Sequence, residues 1–120
     1  VMAQREMMVQ IAVVKWLKLS YPKILYCASA GGMRTSPGTG RKMKASGYVK
    51  GFPDLQIMHP TKRHHGMFIE LKADKKSYAT KEQKEWIQEL NKRSYYAVIC
   101  KGFDAAIEEI TRYINEDFVF

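Results

Sequence analysis

Cysteine is scarce in this chain: Cys27 and Cys100 are the only two among 120 residues. They make no CxxC pair and no multi-cysteine framework, which excludes a disulfide scaffold and favours a reducing compartment. Each lies in an apolar, strand-like run, where a cysteine is expected to be a small buried hydrophobe. Long hydrophobic runs are missing too. The N-terminal apolar stretch is broken by Arg5, Glu6, Gln10 and Lys15, so neither a signal peptide nor a membrane span is visible and a soluble cytoplasmic protein is expected. There is no internal repeat and no low-complexity tract. Acid is in deficit, with 12 Asp and Glu against 20 Lys and Arg, a net charge of +8 and a pI near 9.5. That balance suits a phosphate-rich partner or an acidic membrane surface. The membrane alternative needs a basic amphipathic anchor, which the chain does not contain.

What is present fits a single domain over residues 1–120, with 46% apolar residues to supply one core. From Ala3 to about Leu19, Met7, Ile11, Val14 and Leu17, with Met8, Val13 and Trp16 filling in, predict a helix with a broad buried face, stopped at Tyr21-Pro22. Ile24–Cys27 is a short β-prone run. The glycines and proline of Ser29–Gly40 predict a long loop, followed by a short basic helix over Arg41–Ser46 that ends at Gly47. Two hydrophobic strands come next, joined by the cationic turn His59–Gly66 as a hairpin with His64 and His65 exposed at its tip. Thr80 and Gln83 match a capping box at the head of a helix carrying Trp86, Ile87 and Leu90. Tyr95–Cys100 reads as a fourth strand and Asp104–Ile114 as a closing helix, with Tyr78, Tyr95 and Tyr96 expected as packing residues rather than base-stacking platforms. The order predicts an α/β fold: a mixed sheet of about four strands flanked by helices, antiparallel in the hairpin and parallel across the helical crossover.

The chemistry concentrates between Gly51 and Lys72. In Met67–Lys72 the period of two sends Glu70 and Lys72 to one face and Ile69 and Leu71 to the other. A carboxylate and an ammonium in an otherwise apolar strand carry a desolvation cost unless they are paired or hold a metal. Asp54, at the head of the preceding strand, is the matching partner. Two carboxylates plus the Leu71 backbone carbonyl can serve a Mg²⁺ ion that keeps several waters, and Lys72 can orient the attacking water or offset transition-state charge. Taken singly each piece has a plain alternative: Glu-x-Lys is a common strand pattern, Gly51–Asp54 is turn-like, and Gln83 is explained by the capping box. Their combination discriminates.

Gly51-x-Pro53-Asp54-Leu55, Phe68–Lys72 and Thr80-x-x-Gln83-x-x-Trp86 together resemble the VRR-NUC family of the PD-(D/E)XK nuclease superfamily. The resemblance extends to Glu6-x-x-x-Gln10, to Ala30-Gly31-Gly32-x-Arg34 and to Ala97–Cys100, and is with the compact standalone domains of phages and bacteria. It implies a restriction-endonuclease-like fold and a Mg²⁺- or Mn²⁺-dependent endonuclease. The implied substrate is branched DNA such as Holliday junctions, cut by a homodimer in a bacterial or phage-infected cell, in the manner of DNA repair. By residue it implies Asp54 and Glu70 as metal ligands, Lys72 as the catalytic lysine, Glu6 as an additional acid from the first helix and Gln83 beside the centre. Arg34, Arg41, Lys42, Lys44 and Lys50 in and after the glycine-rich segment, with Lys62 and Arg63 at the hairpin tip, are the expected DNA contacts. The alternative is a noncatalytic DNA-binding module that keeps the fold, for which loss of Asp54, Glu70 or Lys72 would be expected; all three are present.

Overall fold

The computed structural model describes residues 2–29 and 36–116. Its elements are α1 (Met2–Ser20), β1 (Tyr26–Ala28), α2 (Pro37–Ala45), β2 (Leu55–Ile57), β3 (Met67–Lys72), α3 (Lys81–Lys92), β4 (Tyr96–Lys101) and α4 (Phe103–Ile114). The four strands form one sheet in the order β1-β2-β3-β4. Neighbours run antiparallel up to β3 and parallel between β3 and β4, where α3 makes the crossover. This is the expected mixed α/β architecture. No helix among the described residues is long and apolar enough to cross a membrane.

All six β3 residues are buried, and their alternation divides the molecule. Met67, Ile69 and Leu71 join Leu55, Ile57 and Cys100 beneath α1 and α4, packed against Val13, Leu17, Ala106, Ile110 and Tyr113. Each large aliphatic side chain fully buried there is worth roughly 1.5–3 kcal/mol. On the opposite face, Phe68, Leu90 and Ala97 form a smaller cluster with Phe52, Trp86, Ile87 and Tyr95 under α3. Phe52 stands edge-on to both Phe68 and Trp86, with centroids 5.7 and 5.0 Å apart. Past Phe68 that face turns polar.

Several local expectations are corrected. The buried stripe of α1 runs through Val13 and Leu17 with Val9, Val14 and Trp16 packed alongside, whereas Met7, Met8 and Ile11 are exposed. The helix starting near Arg41 begins instead at Pro37: Ser36 accepts the Thr39 N–H at 3.2 Å as N-cap, and proline at the first helical position gives up no needed hydrogen bond. Its end is as read, with Gly47 at φ +112° and the Gly47 and Tyr48 N–H groups donating to Lys44 and Met43 carbonyls. Cys27 is exposed: it pairs with Gln56, on the side of the sheet away from the core residues Leu55 and Ile57, while Cys100 is buried in that core. His64 leaves the hairpin tip and lies half-buried, its Nδ1 2.8 Å from Glu116 Oε1 and its ring edge-on to Tyr96. Tyr95 and Tyr96 do pack, but Tyr78 is 79% exposed.

Candidate active site

Asp54 is delivered to the edge of β3 by a rigid corner. Gly51 has φ +92°, and a Cβ there would lie 2.7 Å from the backbone carbon of Glu82, so only glycine lets the chain pass this close to the first turn of α3. Trp86 Nε1 donates to the Lys50 carbonyl at 3.1 Å and ties the same corner to α3. Pro53 is buried and Asp54 follows as the last residue before β2. There the Leu71 N–H donates to Asp54 Oδ2 at 2.7 Å. In a strand the N–H and C=O of one residue leave on the same edge, so the Leu71 carbonyl opens beside Asp54, beyond the end of β2.

Glu70 and Lys72 are 2% and 7% exposed. Lys72 Nζ is 3.7 Å from Glu70 Oε2 and 3.3 Å from Glu6 Oε1, so Glu6 enters from α1 as the partner of the lysine. Arg5, the neighbour of Glu6, pairs with Asp74 just past β3 and fixes the start of α1 over the site. Gln83 unites its two readings: Oε1 accepts the Thr80 N–H at 2.8 Å in a complete capping box, and Nε2 donates to Glu70 Oε2 at 2.9 Å. Glu70 Oε1 is buried without a partner.

Burial is the largest influence on Glu70, and the charge and hydrogen bonding of Asp54 add to it, with Lys72 opposing; its pKa is pushed up to about 9. Two carboxylates side by side, one with an orphaned buried oxygen, fit a cation. Among the described residues no group of three or more His, Cys, Asp and Glu side chains could hold a metal unaided. Asp54, Glu70 and the Leu71 carbonyl could supply oxygen donors to an ion that retains several waters.

Glu6, Asp54, Glu70, Lys72 and Gln83 line a cleft of about 160 Å³ together with Ala3, Met7, Gln10 and Ser29. Ser29 went unnoticed in the sequence: its N–H donates to the Asp54 carbonyl at 2.9 Å and its Oγ is buried without a partner. Only its place at the end of a strand pairing with the Asp54 strand could have pointed to it. Lys50 flanks an adjoining cleft with Asp54, Thr80 and Gln83. Arg41, Lys42 and Lys44 are exposed on α2. Lys62 and Arg63 are exposed at the opposite end of the sheet, since β3 climbs about 17 Å from Met67 to Lys72 at 3.3 Å per residue. Arg34, with the rest of the Ala30-Gly31-Gly32-x-Arg34 segment, lies outside the described residues.

A mixed sheet that gathers Asp, Glu and Lys at the end of a parallel pair of strands defines a nuclease-type α/β domain. The sequence profile of the VRR-NUC domain matches residues 4–104, and the chain belongs to that family. A solved VRR-NUC domain protein is 36% identical to it, with a TM-score of 0.74 over 92% of this chain and 88% of the other. A second solved VRR-NUC domain, 18% identical, shares the fold with a TM-score of 0.62 over 91% of this chain and 97% of its own. No curated protein matched the sequence.

Proposed function

We propose that the protein is a Mg²⁺- or Mn²⁺-dependent endonuclease that hydrolyses phosphodiester bonds in branched DNA, acting as a homodimer. The observation that carries this reading is the convergence of Asp54, Glu70 and Lys72 in one cleft, with a buried Glu70 oxygen left for a cation.

Asp54 and Glu70 would hold the ion with the Leu71 carbonyl. When bound, it supplies charge neutralisation at the phosphate and a more acidic water. Asp54 is already oriented by the Leu71 N–H, and Glu70 by the Gln83 amide. The Lys72 ammonium, steadied by Glu6, donates toward the water and the phosphate oxygens where negative charge grows during attack. Water adds to phosphorus, the bond to the 3′-oxygen breaks, and the departing oxygen takes a proton. Branched DNA and the homodimer are supported by the family, whose standalone members they characterise, and by the reach of a small domain with one site, which needs a second copy for paired cuts.

The test is incubation of purified protein with four-way junction, flap and linear duplex DNA in Mg²⁺, Mn²⁺ and EDTA, beside Lys72→Ala. Cleavage of the branched substrates in either metal, lost in EDTA and in Lys72→Ala, is expected. Cutting in EDTA, or full activity in Lys72→Ala, overturns the mechanism; absence of cutting under every condition favours the noncatalytic DNA-binding module. A monomeric mass in light scattering, unchanged by junction DNA, contradicts the homodimer.

A further inference from the structure

The turn that follows β3 is held from several sides. Ser77 is 6% exposed, its N–H donates to the Asp74 carbonyl at 3.2 Å and its hydroxyl to Asp74 Oδ1 at 3.2 Å. The Lys76 N–H donates to the same oxygen at 2.9 Å, while Arg5 holds Asp74 Oδ2. The next residue is Tyr78, and its ring stands in solvent. A large aromatic displayed from a fastened turn gains little from burial, so packing does not explain it.

Lys101 Nζ sits 5.0 Å from the centroid of that ring, within cation–π range. Lys101 pairs in register with Lys72 across the parallel strands, which puts both side chains on the site's face of the sheet, with backbones about 4.8 Å apart. Lys75 and Lys76, exposed on the same turn, add charge. A ring with an ammonium over one face and most of its surface in solvent is a pattern with which proteins take unpaired nucleotides: the base stacks on the open face and nearby cations neutralise the backbone. Bases inside a duplex have both faces covered by their neighbours and offer no surface to it.

We propose that Tyr78 and Lys101 form a platform for an unpaired nucleobase next to the phosphate bound at Asp54, Glu70 and Lys72. The base stacks on Tyr78, and Lys101 with Lys75 and Lys76 neutralises the adjoining phosphates. The proposal rests on the nuclease reading of the site and specifies what its substrate must present: a nucleotide out of the double-helical stack beside the scissile bond.

The experiment is fluorescence anisotropy in EDTA, which separates binding from cleavage, using fluorescein-labelled oligothymidylate and a blunt duplex. Tyr78→Ala is expected to weaken oligothymidylate binding about tenfold. Tyr78→Phe, which keeps the ring, stays within about twofold of wild type, and duplex binding shifts by less than about twofold in either variant. Unchanged oligothymidylate binding in Tyr78→Ala overturns the platform, as does equal weakening in Phe and Ala, parallel loss on the duplex, or no binding of oligothymidylate by wild type. Should the junction assay show no cleavage while Tyr78→Ala loses single-strand binding, the nuclease reading fails and the platform stands; the reverse pair of results isolates failure of the platform.

Discussion

The two faces of β3 differ more than any other neighbouring regions of the molecule. Met67, Ile69 and Leu71 enter an apolar core closed by α1 and α4, where every contact favours the fold. Phe68, Glu70 and Lys72, interleaved with them on the same six residues, turn toward α3, and two of the three are charged and nearly inaccessible. One strand thus carries the apolar core on one side and the proposed chemistry on the other. The polar side works against the fold: burial and the neighbouring Asp54 push the Glu70 pKa up to about 9, so near neutral pH this carboxyl resists the ionisation that the proposed cation site requires.

Substitutions on the two faces of this strand should therefore have different consequences. Lys72→Ala is expected to cut junction cleavage by on the order of a hundredfold or more while leaving the circular dichroism spectrum and the urea midpoint close to wild type. Ile69→Ala, three positions earlier on the other face, should cost about 2–5 kcal/mol in urea denaturation and leave the specific activity of the folded fraction intact. Equal losses of stability from both would break the comparison. Gly51→Ala joins the two effects, because the positive φ and the close approach to Glu82 both resist a Cβ; a loss of about 1–3 kcal/mol is expected, with reduced cleavage from displacement of Asp54. Smallest in energy is a labelling contrast. Burial raises the Cys100 thiol to about 12 whereas Cys27 is exposed on the edge strand, so a thiol reagent at pH 8 should modify Cys27 alone until denaturant is added, as mass spectrometry of the labelled peptides would show.

Much of this was legible in the sequence, for physical reasons. The period of two in Met67–Lys72 separates the faces without any structure, and the capping box at Thr80 marks the start of α3 because its hydrogen bonds are local. The parallel pairing follows from the length of the crossover. Other features depended on distant partners. His64 leaves the hairpin tip because Glu116, at the far end of the described chain, accepts its hydrogen bond. Cys27 is exposed because it lies on the side of the sheet away from the core, opposite Gln56, a matter of strand register that a β-prone run cannot reveal. Pro37 and Gly38 read as breakers, yet Ser36 and Pro37 together make a good helix start. Ser29 became visible only once the end of β1 was placed beside Asp54, and Tyr78, which reads as a packing residue, stands exposed because the turn after β3 holds it away from the core.

The direct test of the account is Glu70→Gln, measured by thermal melting in EDTA from pH 5 to pH 8 and by junction cleavage in Mg²⁺. A carboxyl whose pKa rises from 4.5 to about 9 on folding keeps its proton in the folded state while the unfolded chain has lost it, so the stability carried by the protonated form is present below pH 4.5 and drains away as the pH climbs toward 9. A neutral amide escapes that loss. Glu70→Gln should melt roughly 4 °C or more above wild type at pH 8, with the gap narrowing toward pH 5, and should cleave no junction. A variant that melts lower than wild type across this range, or that still cuts, would contradict the claim that Glu70 is held against the fold for the sake of chemistry.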